Sequence, residues 1–161
     1  MSFRLYIMRH GDASMRALTD SLRPLSDRGK NQSVEAGEFL QQQVQSHSDL
    51  GLMIVSPYLR AQQTAERVVE RLNYTGEIIT SNDITPDVSV DGVIAMLEPF
   101  QSKKSVLMVS HQPLVSSLID RLVNGRCYND NVMATASITC LEMPFVAIGQ
   151  ATLLWSRHSA V

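Results

Sequence analysis

The chain has 161 residues, of which 44% are apolar and 19% are charged, and its formal net charge at pH 7 is −2. This length and composition indicate one globular domain over residues 1–161, with no room for a second domain. The small negative charge lacks the basic excess of nucleic-acid binding proteins, and no apolar run approaches the length of a membrane span. We therefore expect neither nucleic acid nor a membrane as a partner.

The two cysteines, Cys127 and Cys140, form no CxxC pair and no Cys/His cluster. The N-terminus lacks the basic and then apolar pattern of a secretion signal. We therefore expect a reduced, cytoplasmic protein without a bound metal or cofactor. We also expect it to act as a monomer.

The first predicted element is a strand over residues 3–8, FRLYIM. Its run is too short for a helix, and apart from Arg4 it is apolar or aromatic, as in a strand buried on both faces. Directly after it come Arg9, His10 and Gly11. Open α/β sheets gather their ligands in the turns that follow strands, so His10 is the candidate reactive group.

Further along the chain, a polar loop over residues 13–23 is followed by alternating helix and strand patterns. The predicted helices cover residues 26 to about 46, 58–72, 90–100 and 114–123, and the predicted strands cover 52–55, 77–80, 105–109, 136–143 and 150–155. We expect Ser26 to cap the first helix and Pro99 to end the third. The alternation predicts an α/β fold, a three-layer αβα sandwich with a mostly parallel sheet.

Polar groups follow the three clearest buried strands at residues 3–8, 52–55 and 105–109. They are Arg9 with His10, Ser56 with Arg60, and His111. Because parallel strands end at one edge of a sheet, these groups should converge there. Two guanidiniums and two imidazoles form a pocket for an anion, and guanidinium forks match phosphoryl oxygens. We expect nearby arginines to keep His10 neutral and nucleophilic, while His111 can be protonated beside a dianionic substrate.

Three stretches in this order resemble the histidine phosphatase (phosphoglycerate mutase-like) superfamily. They are RHG at 9–11, SPYLRAQQTA at 56–65 and SH at 110–111. The short chain, with its RHGDA, RPLS-x-x-G and SHQPLV stretches, is similar in particular to the small bacterial phosphohistidine phosphatases of that superfamily. The resemblance runs from Leu5 to about Trp155 and implies a phosphoglycerate mutase-like fold.

The resemblance also implies roles for the residues that match the motifs. His10 would attack phosphorus in line and become transiently phosphorylated, after which water would release phosphate. Arg9, Arg60 and His111 would hold the phosphoryl oxygens and stabilise charge in the transition state. No metal or cofactor is implied. Ser56 either contacts the phosphate or merely ends its strand, and the sequence leaves both roles open.

The chain departs from the superfamily pattern where a general acid is expected. Many members that act on phosphate esters carry an aspartate beside the second histidine, where this chain has Gln112. Asp83 and Asp12 are the candidate acid or base groups. Because a leaving imidazole has a pKa near ~6.5, a phosphorus–nitrogen bond needs less acid assistance than an ester. With the resemblance, this implies a phosphohistidine on a phosphotransfer protein of a signalling phosphorelay as substrate.

Two other functions stay open at the level of sequence. A small-molecule phosphomonoesterase or mutase would use the same basic residues with a protonated carboxylate at the leaving oxygen. A non-catalytic module would bind a phosphohistidine protein without releasing phosphate.

Overall fold

A computed structural model describes residues 2–44, 49–128 and 132–159. In this part of the chain a six-stranded sheet has the strand order β3-β2-β4-β1-β5-β6. The strands are β1 (Phe3–Arg9), β2 (Leu52–Val55), β3 (Ile78–Thr80), β4 (Ser105–Ser110), β5 (Ile138–Met143) and β6 (Thr152–Arg157). Strands β1 to β4 pair in parallel. Strand β5 pairs antiparallel with β1, and β6 pairs antiparallel with β5. The predicted α/β fold with a mostly parallel sheet is confirmed.

Helices cover both faces of the sheet. They are α1 (Asp27–Gln43), α2 (Leu59–Leu72), α3 (Val90–Leu97) and α4 (Leu114–Asn124). Alternate residues of β1 enter different cores, because side chains of a strand point to opposite faces in turn. Leu5 and Ile7 pack with residues of α3 and α4, whereas Tyr6 and Met8 pack with residues of α1 and α2. The result is the three-layer arrangement that the sequence pattern predicts.

Several element boundaries differ from the predictions, and the sixth strand is Thr152–Arg157 instead of the predicted 150–155. The first helix ends at Gln43, and the predicted end near Ser46 lies outside the described residues. Pro99 does not end the third helix but lies near the start of a 3-10 helix, Glu98–Lys103, where a missing N–H costs no hydrogen bond. The fifth strand begins at Ile138, because Ala136 has a φ of 59° and cannot continue an extended strand.

The carboxyl ends of the central strands meet at one edge of the sheet. Arg9 at the end of β1 pairs with Ser110 at the end of β4, and Val55 at the end of β2 pairs with Val109. The residues that follow these three strands therefore lie next to one another.

Among the described residues, no helix is both long enough and apolar enough to cross a membrane. The same residues contain no group of three His, Cys, Asp or Glu side chains placed to hold a metal ion.

Candidate active site

His10 lies directly after β1, and its main chain is held on both sides. Its N–H donates to the carbonyl oxygen of Ser110 at 3.0 Å, and its carbonyl accepts from the N–H of Ala136 at 2.9 Å. The side chain is only 7% exposed. The sheet edge therefore fixes the position of this imidazole.

The hydrogen bonds of the His10 ring define which nitrogen carries the proton. Nδ1 lies 2.7 Å from the carbonyl oxygen of Gly11. A carbonyl can only accept, so Nδ1 carries the hydrogen and Nε2 carries the lone pair. Nε2 in turn accepts a hydrogen bond of 3.2 Å from Nε of Arg60. The ring thus presents an unprotonated nitrogen to a guanidinium.

Gly11 allows the turn after β1 to approach two helices closely. Its N–H donates to Oγ1 of Thr64 at 3.0 Å, and that hydroxyl donates to the carbonyl of Arg60 at 2.7 Å. A Cβ at this position would lie 2.6 Å from the carbonyl oxygen of Gly29 on α1. Only glycine fits between the turn and α1, and the turn is therefore locked to both α1 and α2.

Arg60, in the first turn of α2, is 5% exposed and binds a carboxylate as well as His10. Its NH1 donates to the main-chain oxygen of Asp20 at 2.7 Å, and its NH2 donates to Oδ2 of the same residue at 3.2 Å. Its Cζ lies 5.0 Å from the centre of the Tyr58 ring. In this state Asp20 provides the anion that the guanidinium binds.

Arg23 shares the Asp20 carboxylate with Arg60. Its NH1 donates to Oδ1 of Asp20 at 3.1 Å, and its Nε donates to the main-chain oxygen of Ser14 at 3.0 Å. Desolvation of Asp20 opposes ionisation, but the hydrogen bonds from Arg23 and Arg60 together outweigh it and lower the pKa of the Asp20 carboxyl. Asp20 therefore remains an anion between two cations at the mouth of the site.

His111 follows β4 and lies beside His10, with the centres of the two rings 5.1 Å apart. Its Nε2 and Oγ of Ser56 are 2.7 Å apart, within hydrogen-bonding distance. The ring of Tyr58 packs against it edge-on at 5.0 Å. Its buried Nδ1 has no hydrogen-bond partner among the described residues.

Arg9 contributes a second guanidinium, half-buried at the end of β1. Its NH1 donates to the main-chain oxygen of Met133 at 2.8 Å. Burial lowers the pKa of Arg9, although the nearby carboxylate of Asp12 opposes this shift. Its buried Nε has no partner in the part of the chain that the structure describes. Unsatisfied buried donors are costly, so this nitrogen is ready to bind an anion.

Both histidines are neutral in the ligand-free protein. Burial, with smaller contributions from the charges of Arg60 and Arg9, lowers the pKa of His10 to about 4. Burial, with smaller contributions from His10 and Arg60, lowers the pKa of His111 to about 3. The expectation of a neutral His10 agrees with this result, but burial contributes more than the arginines. The expectation that His111 is protonated concerns the complex with a dianionic substrate and stays a prediction; in the ligand-free protein this ring too is desolvated.

The remaining candidate residues have different surroundings. Ser56 is fully buried and contacts His111. Asp12 accepts a hydrogen bond of 2.6 Å from the hydroxyl of Ser26 at the start of α1. Asp83 lies in an exposed 3-10 helix after β3, and its N–H binds the hydroxyl of Ser81. Among the described residues, no hydrogen bond joins the Asp83 or Asp12 carboxylate to either ring of the histidine pair.

Sequence reasoning did not assign roles to Thr64, Tyr58 or Asp20. Thr64 lies four residues after Arg60 on the buried face of α2, and a hydroxyl at that helical spacing is a signal for a main-chain contact. Tyr58 lies at the start of α2, and Asp20 lies in the long loop before α1. Each reaches the site only through the fold of the chain. No periodic pattern marks either of them.

Chemically, the site combines an unprotonated imidazole nitrogen with three nearby arginine side chains and a second neutral imidazole. Such a set binds an oxyanion through charge-assisted hydrogen bonds and offers it a nucleophile.

The chain matches the model of the histidine phosphatase superfamily (branch 1) over residues 5–85. It is 37% identical over 124 residues to the phosphohistidine phosphatase SixA of Escherichia coli (strain K12), covering 76% of this chain and 75% of that protein. It is 35% identical over 128 residues to the SixA homolog of Haemophilus influenzae (strain Rd), covering 76% and 78% respectively. A structure of the protein histidine phosphatase SixA complexed with tungstate matches with a TM-score of 0.86 and 32% identity over 97% of each chain.

Proposed function

The chain belongs to the histidine phosphatase superfamily, and from this premise we propose that it removes phosphate from phosphohistidine on a protein, with His10 as the nucleophile. The resemblance predicted from the sequence motifs is confirmed, and the chain is a phosphatase homologous to the SixA phosphohistidine phosphatases. A relative with the same fold binds tungstate, a tetrahedral oxyanion similar in shape to phosphate.

The first step transfers the phosphoryl group to the enzyme. The lone pair on Nε2 of His10 forms a bond to phosphorus while the bond from phosphorus to the substrate imidazole breaks. The bonding electrons leave with that imidazole, which takes up a proton from solvent or from its surroundings. Because an imidazole has a pKa near ~6.5, it departs without a strong general acid.

Before this step the donors of Arg60 must change partners. In the ligand-free protein its Nε binds the lone pair of His10 and its two terminal nitrogens bind Asp20. An entering phosphoryl group offers three oxygens with more charge than one carboxylate. Arg60 therefore turns its donors to the phosphoryl oxygens, and this frees the His10 lone pair in the presence of substrate.

Arg9 and His111 complete the phosphoryl site. Within the described residues, Arg9 has one unsatisfied buried N–H and His111 has one unsatisfied buried ring nitrogen. The charge of a bound phosphoryl dianion opposes the desolvation that now keeps His111 neutral, so His111 donates to a phosphoryl oxygen when substrate is present. Each such preorganised donor typically supplies about 10²–10³ in rate.

The second step restores the enzyme. Water attacks phosphorus, the bond between phosphorus and Nε2 breaks, and the bonding electrons return to His10 as its lone pair. Phosphate leaves, and the proton of the attacking water passes to solvent. Asp83 and Asp12 are the candidate carboxylates for orienting this water.

The substrate class follows from the missing acid and from the relatives. Position 112 holds glutamine rather than an acid, which suits a leaving imidazole better than a leaving alkoxide. We propose a phosphotransfer domain of a phosphorelay as the partner, encountered transiently in the cytoplasm. The enzyme would act as a monomer formed by one domain over residues 1–161.

The observation that carries this proposal is the ring of His10, protonated on Nδ1 beside the Gly11 carbonyl and unprotonated on Nε2 beside Arg60. The test measures phosphate release from a phosphotransfer domain phosphorylated on histidine and from a panel of sugar phosphates and aryl phosphates. We expect rapid release from the phosphoprotein and slow release from the esters. His10→Ala should abolish both turnover and phosphate labelling of the enzyme.

Each rival function predicts a different result in the same assay. Faster turnover of the esters would identify a small-molecule phosphatase or mutase. Binding of the phosphoprotein with no release of phosphate would identify a recognition module. Retention of substantial activity in His10→Ala would contradict the assigned nucleophile.

A further inference from the structure

The loop of residues 14–24 forms a closed projection beside the site. Its base is joined by a hydrogen bond of 2.8 Å from the N–H of Ser14 to the carbonyl of Pro24, and Ala13 and Leu25 form a β-bridge below it. The N–H of Leu25 binds Oε1 of Gln63 on α2 at 2.8 Å. The loop is therefore anchored to the helix that carries Arg60.

This loop exposes three large apolar side chains. Met15 is 79% exposed, Leu18 is 96% exposed and Leu22 is 52% exposed. We call these three residues the apolar rim. Single exposed apolar residues are common, but three between residues 15 and 22 of one anchored loop mark a candidate contact surface.

The apolar rim is linked to the phosphoryl pocket through Asp20. Asp20 lies between Leu18 and Leu22 in the chain, and its carboxylate binds Arg60, which binds His10. A small phosphorylated molecule that reached Arg60 would fill the pocket and leave the rim in water. A folded protein with a phosphohistidine on its surface would also bring its neighbouring side chains onto the rim.

The composition of the loop also favours a protein partner. Residues 15–23 read MRALTDSLR, with methionine, two arginines and two leucines and without lysine or glutamate. Methionine and arginine are enriched in protein interfaces, whereas lysine, glutamate, aspartate, serine and alanine are depleted. Met15 and the two arginines therefore support this point, and Ala17, Asp20 and Ser21 do not. Arg16 is exposed on the same segment and adds a cation that suits a phosphorylated partner.

We propose that the apolar rim of Met15, Leu18 and Leu22 is the docking surface for the phosphohistidine-bearing protein domain. This inference rests on the proposed function, since it assigns the surface by which that substrate is selected. The pocket recognises the phosphoryl group, and the rim recognises the protein that carries it. Discrimination between phosphoproteins and small phosphoramidates then comes from the rim.

The test compares two substrates of the same bond type: a phosphotransfer domain phosphorylated on its histidine, and free phosphohistidine. For Leu18→Ala and for Met15→Ala with Leu18→Ala, we expect KM for the phosphoprotein to rise by about tenfold or more, as for central interface residues, with kcat nearly unchanged. Turnover of free phosphohistidine should not change. Because these side chains are exposed, their truncation should leave folding intact.

Phe145→Ala is the matched control. Phe145 is 52% exposed, like Leu22, but it follows β5 at the end of the sheet where β1 begins, opposite the site. Phe145→Ala should leave kcat and KM unchanged for both substrates. An unaltered KM for the phosphoprotein in the Leu18→Ala variant, or an equal loss on both substrates, would overturn the docking surface.

Two further results would count against the docking surface in different ways. If the unaltered protein released phosphate from neither substrate, the proposed function itself would fail. If sedimentation showed a dimer that Leu18→Ala dissociates without any effect on phosphoprotein turnover, the rim would belong to an interface between two copies of this chain, and the docking proposal would be wrong.

Discussion

Nε of Arg60 and Nε2 of His10 lie 3.2 Å apart, so in the ligand-free protein the guanidinium occupies the lone pair that we propose as the nucleophile. Arg60 thus binds His10 and Asp20 in the ligand-free protein and, in the proposed mechanism, the phosphoryl oxygens when substrate is present. This exchange requires a planar fork with several donors, which a lysine cannot supply.

The substitution Arg60→Lys should therefore lower kcat/KM for a phosphohistidine protein by about 10²–10³, because one oriented pair of donors is lost. The rate of enzyme phosphorylation, measured by rapid quench, should fall with it. Arg67→Lys on the same helix is the control, since Arg67 binds only the main-chain oxygen of Gln63 among the described residues. Near-normal phosphorylation of Arg60→Lys would remove Arg60 from the proposed mechanism.

Asp20 competes with an incoming anion for Arg60. Asp20→Asn keeps the shape of the side chain but removes its charge, and an exposed ion pair contributes about 0.2–1 kcal/mol. We expect tungstate to bind up to roughly fivefold more tightly to Asp20→Asn than to the unaltered protein. Isothermal titration calorimetry measures this change. Weaker tungstate binding would mean that Asp20 orients Arg60 for the anion instead of competing with it.

Much of the site could be predicted from the sequence because three short apolar runs mark the central strands. Residues 3–8, 52–55 and 105–109 are buried parallel strands, and parallel strands end at one edge, so His10, Arg60 and His111 had to approach one another. The pairing of Asp20 with Arg60 could not be predicted. It depends on how a loop without periodicity closes on itself through Ser14 and Pro24.

The protonation of His111 was also beyond the sequence, for a different reason. Charge counting predicted a neutral His10 from the nearby arginines, but it could not predict the desolvation of His111, which depends on the packing of His10 and Tyr58 around the ring. Burial is the largest cause of the lowered pKa of both histidines.

We propose that Ser56 acts on the reaction through His111. Its hydroxyl lies 2.7 Å from Nε2 of His111 and also accepts a hydrogen bond of 3.3 Å from the N–H of Tyr58. Ser56→Ala should lower kcat by about tenfold through misorientation of His111, with little change in KM. Ser56→Thr keeps the hydroxyl and should restore most of the rate. A change confined to KM would instead indicate that Ser56 contacts the substrate.

Gly29 lets α1 pack against the turn that carries the nucleophile. A Cβ at residue 29 would lie 1.9 Å from the carbonyl oxygen of Asp12, a main-chain atom two residues beyond His10. Gly29→Ala should therefore lower the free energy of unfolding by about 1–3 kcal/mol, as overpacking does. Urea denaturation measures this loss.

Gly92→Ala on α3 is the matched substitution for Gly29→Ala. The Cβ at residue 92 meets only the side-chain oxygen of Ser89, which can shift at the expense of the capping hydrogen bond that it accepts from the N–H of Gly92. The gain in helix propensity offsets that loss. Its free energy of unfolding should change by less than about 1 kcal/mol, since alanine also favours a helix. Equal losses in the two variants would show that close packing at Gly29 is not the cause.

The two buried histidines should make stability depend on pH. The pKa of His10 falls from its ordinary 6.5 to about 4, and that of His111 falls to about 3. Between pH 6.5 and these values the unfolded chain binds protons that the folded protein does not, so the free energy of unfolding decreases as the pH falls. At pH 5 the expected loss relative to pH 7 is on the order of 2 kcal/mol per histidine. Urea denaturation at both pH values measures it, and His10→Asn should remove about half of the difference. A free energy of unfolding that stays constant from pH 7 to pH 5 would contradict the desolvated, neutral state of the pair on which the proposed nucleophile depends.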